Sequence, residues 1–268
     1  FVMLSSLTAF LAGFVAGGIA RVSGLSLTWS CIIGLLVLLA VTISISFIVR
    51  RKVKLVNAHI QQVMEEVQHR IMMRQNQFMR RPIGTPQRMM QELEKDQAAG
   101  IRRAIDTCNE FTPLFRWSPL LAKQVNTMKM AFYFQIKDFK MVDELMPKCI
   151  FFDPQSVCIK MARMYMRKEE GIDKLFKKKC RNLKDPACIL PYSLYAWILV
   201  KQQRYDDALK LLVECKRKTD NEVIVRNWEH LVNKKYKNFS NSGLGETWYA
   251  LGLETPKMPR VQQNFRYR

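Results

Sequence analysis

The hydrophobic positions of this chain change their spacing along its length. From residue 1 to 49 they are almost continuous. "FVMLSSLTAFLAGFVAGGIA" and "LSLTWSCIIGLLVLLAVTISISFIV" carry no charged residue, and only "RVSG" separates them. Each run predicts a helix long enough to cross a hydrocarbon layer of roughly 30 Å. So short a link predicts that the two, residues 1–20 and 25–49, run antiparallel. From residue 50 to 81 the spacing becomes three and four: Val53, Val56, Ile60, Val63, Val67 and Ile71, with Phe78 beyond. No Pro or Gly interrupts that stretch, so the second apolar run is expected to continue as a helix with one apolar stripe. Two coverings for the stripe are open, a parallel coiled coil with another copy or the chain's own C-terminal domain. From residue 119 onward, apolar helical runs alternate with short polar joints.

Punctuation refines these boundaries. Pro82 in "RRPIGTP" stops the long helix, and Thr85 with Pro86 caps and opens the next, "QRMMQELEKDQAAGIRRAIDTCNEF". "FTPLFRWSP" reads as a loop or short helical turn. The expected architecture is therefore all-α: an N-terminal two-helix transmembrane hairpin (1–49), connector helices (50–118), helical hairpins (119–221), capping helices (222–253) and a basic tail (254–268).

Charge makes the apolar start more specific. Of 43 Lys and Arg residues, only Arg21 precedes position 50, and the other 42 face all 23 Asp and Glu. An apolar beginning joined to a basic remainder is the layout of a membrane-anchored protein. Arg50, Arg51, Lys52 and Lys54 follow the second run directly. The positive-inside rule then predicts that both ends face the cytoplasm, with a bacterial inner membrane as the favoured setting. The first run lacks the basic start and clean cleavage site of a signal peptide. Gly13 and Gly17 form a GxxxG pair, which lets helices approach closely, within the hairpin, between copies of the chain or toward another membrane protein. No Asp, Glu or Lys sits inside either run, so no proton relay or transport path is expected.

Three stretches resemble one another. "KMAFYFQIKDFKMVDELMPKCIFFDPQ" begins at Lys129, "KMARMYMRKEEGIDKLFKKKCRNLKDPA" at Lys160 and "LYAWILVKQQRYDDALKLLVECKRKTDN" at Leu194. Each is an apolar helix, a polar joint, an amphipathic helix and a stop, with a period of about 34 residues. These units resemble tetratricopeptide repeats. In that family a small residue marks where the paired helices touch, and Ala131, Ala162 and Ala196 hold that place, with Ala208 as a second contact point in the third unit. The family's aromatic positions match Phe134, Tyr165, Phe139 and Tyr205, while Leu199, Ile172 and Val142 depart from the pattern. "EVIVRNWEHLVNKKYK" is placed to cap the stack.

The resemblance implies a concave, partner-binding groove lined by Phe132, Gln135, Arg163, Arg167, Trp197 and Lys201. Arg and Lys there would favour an acidic segment or a C-terminal carboxylate; the aromatics could equally be core between units. Lys174–Lys184, "KLFKKKCRNLK" with Lys177, Lys178 and Lys179 at its centre, is the densest basic patch. It reads as a solvated face, a lipid-headgroup contact or, least of all, a nucleic-acid contact, since no aromatic RNA-binding signature accompanies it.

Catalytic and metal signatures are absent from the sequence. The seven cysteines form no CxxC pair, an odd count that fits reduced thiols used as small packing residues. The three histidines are not at ligand spacing, and no phosphate loop or nucleophile elbow occurs. The expectation is a protein with no cofactor and no enzymatic activity. It would act as a membrane-anchored adaptor or scaffold for a protein partner, as a structural subunit or assembly factor of a membrane complex, or as a basic lipid or RNA binder. Homo-oligomerisation through the connector stripe is a further expectation.

Overall fold

The computed structural model describes residues 4–24, 26–80 and 85–256. The stop at Pro82 and most of the basic tail lie outside them. Among the described residues every regular element is a helix, so the all-α class holds. The chain divides into two compact units, residues 1–150 and 151–268.

In the first unit, α1 (Leu4–Val22) and α2 (Leu27–Arg80) run antiparallel along each other. Glycine makes the approach possible. A Cβ added at Gly13 would sit 2.7 Å from the carbonyl oxygen of Gly34, and one at Gly34 would sit 2.8 Å from that of Gly13. Both helices are long and apolar enough to cross a membrane by length and composition, and none of the most apolar window of α2 is buried. Ile43 and Phe47 stand exposed on it.

α2 continues without a break for 54 residues. Beyond Arg50 its apolar stripe turns inward: Ile60, Val67 and Phe78 are buried, and Val53, Val56, Val63 and Ile71 are half-buried. The chain itself supplies the cover. α3 (Pro86–Thr107) packs back along α2, started by Thr85, whose hydroxyl accepts the amide of Arg88. At the crossing, Gly100 meets Val67 so closely that an added Cβ would lie 2.3 Å from a valine methyl. A 3₁₀ turn at Cys108–Leu114 then brings Phe111 and Leu114 onto Ile60, and α4 (Pro119–Gln135) adds Leu121 and Val125. α5 (Phe139–Leu145) follows, with Phe139 edge-on to Phe134 at 5.8 Å.

The second unit holds α6 (Pro154–Met166), α7 (Ile172–Lys179), α8 (Ile189–Lys201), α9 (Tyr205–Lys216), α10 (Glu222–Val232) and α11 (Glu246–Tyr249). Ala162, Ala196 and Ala208 are all completely buried, whereas Ala131 of the first unit is half-buried. Small side chains at such points let paired helices pack at close distance. α8 is buried along almost its whole length and forms the centre of this unit.

One backbone device recurs four times. Two residues beyond the ends of α4, α6, α8 and α10 stands a residue in the left-handed region: Lys137, Lys168, Gln203 and Lys234, with φ between 54° and 60°. After each, the next amide reaches back five residues: Asp138 to Tyr133, Glu169 to Met164, Arg204 to Leu199 and Lys235 to His230, all at 2.8–3.0 Å. This is the Schellman closure, which satisfies orphan carbonyls at a helix end. None of the four is a glycine, so each costs about 1–2 kcal/mol in backbone sterics. The two hydrogen bonds at each closure offset that cost.

The closing segment after α10 is held by amides. Asn227 donates to Asn241 at 2.8 Å, Asn241 donates to the carbonyl of Ser193 at 2.9 Å, and the amide of Ser240 donates to Asn227. Both asparagines are buried, so the network fixes this segment against α8 rather than merely decorating it.

Candidate functional site

The candidate site in the second unit begins with Trp197. It sits about one turn before the end of α8, in a helix whose residues from Pro191 to Leu199 are all buried. Its indole is 5% exposed. Tyr165 of α6 meets it edge-on at 5.3 Å, Trp248 of α11 meets it at 5.7 Å, and the ammonium of Lys201 lies 5.1 Å above its ring. The three-ring cluster thus has a cation on one flank.

Both tryptophans donate to the same carboxylate. Trp197 Nε1 donates to one oxygen of Glu254 and Trp248 Nε1 to the other, each at 2.8 Å. An indole N–H buried without a partner is unfavourable, and an ionised acceptor gives shorter, stronger hydrogen bonds than a neutral one. Trp248 is completely buried, so these donors have little access to water. The arrangement is an internal tie in which two indole N–H groups share one carboxylate.

The six residues expected to line a groove divide between the units. Phe132 and Gln135 belong to the first, where Phe132 packs on the core cluster around Phe111 and Ile60, and Gln135 is exposed. Arg163, Arg167, Trp197 and Lys201 belong to the second. Arg163 is half-buried, and exposed Arg167 pairs with Glu169 at 2.9 Å. Trp197 is covered by Trp248 and Glu254 rather than open to solvent.

The basic residues are exposed. Arg50, Arg51, Lys52 and Lys54 project from α2 immediately after its apolar stretch. Lys177, Lys178 and Lys179 project from α7, while Ile172 and Phe176 on its other face are buried. Lys179 lies 5.7 Å from the ring of Phe152, itself an exposed aromatic.

A second polar cluster escaped sequence reading. The Tyr192 hydroxyl donates to Glu214 at 2.9 Å, and Lys218 contacts that hydroxyl at 2.5 Å and the carboxylate at 3.4 Å. Burial pushes the Glu214 carboxyl up, but the hydroxyl, Lys218 and Arg181 together outweigh it and hold the group below its ordinary value. Burial first, then the bond to Glu214, pushes the Tyr192 phenol well above its ordinary range. The buried thiols shift upward as well, Cys108 to about 11 and both Cys180 and Cys215 to about 12, because burial disfavours the thiolate. Such thiols are poor nucleophiles. Among the described residues no group of three or more His, Cys, Asp or Glu side chains could hold a metal ion.

Trp248 and Glu254 were invisible as site residues in the sequence. Glu254 lies 57 residues from Trp197, and no local spacing links them. The one available signal was a tryptophan in the glycine-bounded stretch "GLGETWYALGL".

Compared with known proteins, the chain matches no protein-family model, no curated protein and no solved structure.

Proposed function

We propose that this chain is a membrane-anchored adaptor or scaffold. α1 and α2 anchor it in a bilayer, the extension of α2 acts as a spacer, and the later helix pairs engage a partner protein at the cytoplasmic face through a tetratricopeptide-like surface. The observation that carries this reading is the unbroken passage of α2 from an unburied apolar stretch, through Arg50, Arg51, Lys52 and Lys54, into a helix whose stripe is covered by the chain itself. By the positive-inside rule, the basic flank after α2 supports a cytoplasmic position for the helices that follow. The work done is positioning by binding, not chemistry on a substrate.

The test is mild detergent extraction, crosslinking and mass identification of what accompanies the chain, repeated with Arg163→Glu/Arg167→Glu. An adaptor loses its partner in the variant while helical content and thermal stability hold. If the wild-type chain is found only as an isolated monomer under all extraction conditions, the reading fails.

One observation favours a second reading, a permanent subunit of a membrane complex. Trp197 is already covered from within by Trp248 and Glu254. In that case the double variant weakens the whole complex rather than releasing one component.

A further inference from the structure

Two clefts of the first unit, each of about 490 Å³, adjoin where α2 leaves its apolar stretch. They share Val49, Arg50 and Ser118. The first runs between α1 and α2, with Ala9, Phe10, Leu38 and Ile45 in its walls and Trp117 at its polar end. The second continues along α2 past Lys54, Asn57 and Gln61. From one end to the other, the lining passes from aliphatic, through an indole and serines, to basic and amide.

The walls are fixed by bonds between distant segments. The amide of Leu4 donates to the carbonyl of Arg116 at 3.3 Å, and Ser5 Oγ donates to that of Trp117 at 3.2 Å. They tie the start of α1 to the turn before α4, so Trp117 stands beside the apolar helices. Tryptophan favours the level of lipid headgroups, because its ring is apolar and its N–H is wet.

Charge identifies the occupant. No acidic residue lines either cleft, and among the described residues neither Arg50 nor Lys54 has an ion-pair partner. They lie four positions apart on one helix face, at the junction and just beyond it. Arg51 and Lys52, equally exposed, line neither cleft. The apolar cleft opens among exposed side chains such as Phe10 and Phe47, so its occupant arrives from the hydrocarbon layer. A molecule with an apolar chain, a polar ester zone and an anionic head reproduces the order of the lining.

We propose that the joined clefts bind one anionic glycerophospholipid, with an acyl chain between α1 and α2 and the phosphate at Arg50 and Lys54. The inference rests on the reading that α1 and α2 cross a bilayer. It assigns a built site to two of the four basic residues in the flank and leaves the other two to general attraction.

The full chain is purified in mild detergent, and bound lipid is counted by native mass spectrometry after exposure to phosphatidylglycerol or phosphatidylcholine. One phosphatidylglycerol is retained per chain, and phosphatidylcholine is not. Arg50→Gln/Lys54→Gln lowers retention by at least about tenfold, given about fivefold for each basic residue at an anionic surface. Arg51→Gln/Lys52→Gln removes the same charge and leaves retention within about twofold. Ser46→Trp, which fills the apolar cleft from an exposed position, also abolishes retention. Glycerol 3-phosphate at equal concentration does not displace the lipid; if it does, the acyl cleft is no part of the site and the proposal falls. Equal loss in both double variants reduces the effect to diffuse attraction and overturns it too. Alkaline extraction of membranes keeps the two readings apart. A chain released into the wash refutes membrane anchoring itself, whereas a retained chain with equal losses refutes the lipid site alone.

Discussion

Replacing Glu254 removes the acceptor from two indole N–H groups at once. With Glu254 in place Trp248 is completely buried and Trp197 is 5% exposed, so Glu254→Ala takes the one protein acceptor from both donors. An orphaned buried donor costs about 1–3 kcal/mol, so the pair loses about 2–6 kcal/mol. Freeing the glutamate from its single rotamer returns about 1.5–2 kcal/mol. The net destabilisation is about 0–4.5 kcal/mol. Glu254→Gln is the sharper probe. Its amide offers one accepting oxygen and one NH₂, so one indole faces a donor, and the cost is about 1–3 kcal/mol. In a Trp197→Phe background that conflict disappears, because the amide oxygen serves Trp248 alone. There the same substitution costs under about 0.5 kcal/mol. The assay is urea denaturation of the full chain in detergent, followed by tryptophan fluorescence. If Glu254→Gln costs the same in both backgrounds, within the usual scatter for independent sites of about 0.5 kcal/mol, the two-indole grip does not hold the segment.

Gly100→Ala is expected to destabilise by about 1–3 kcal/mol, the range for overpacking, because the new methyl falls 2.3 Å from a Val67 methyl. Val67→Ala in the same chain restores most of the loss, and a double variant no better than the single one refutes the contact. In the native chain at pH 8, a thiol reagent titrates at most Cys31 and Cys149; Cys108, Cys158, Cys180, Cys188 and Cys215 react only after denaturation. Glu214 has a folded pKa below its ordinary 4.5, so its stabilisation is complete above that value and fades as the pH falls through the lower one. Glu214→Gln is therefore less stable than wild type at pH 7, with a gap in denaturation midpoint that closes below about pH 4.5; a gap constant with pH contradicts the cluster.

Sequence legibility was uneven for physical reasons. The α2 stripe was readable because seven apolar positions at helical spacing must be covered by something. Its covering was not, since a coiled coil and the chain's own α3 and α4 satisfy the same pattern. Local chemistry was readable too, but its direction was ambiguous. Asp153-Pro154 reads as the stop of one unit, yet in the structure Asp153 accepts the amide of Ser156 at 2.8 Å and Pro154 opens α6. Asn221 likewise caps α10 by accepting from Val223 at 3.0 Å. The left-handed closures at Lys137, Lys168, Gln203 and Lys234 carried no glycine to reveal them. Groove residues were the least legible. Trp197 has the right spacing for an open wall, and only Trp248 and Glu254, far along the chain, decide that it is covered.

The unbroken α2 has a mechanical consequence. At about 1.5 Å per residue, 54 residues make a rod about 80 Å long. A rod couples angle to distance. On the proposal that its apolar end crosses a bilayer, a change in tilt of about 10° at that end sweeps the other end sideways by about 14 Å, more than the width of a helix. Such a lever would turn small changes within a membrane into large ones well outside it.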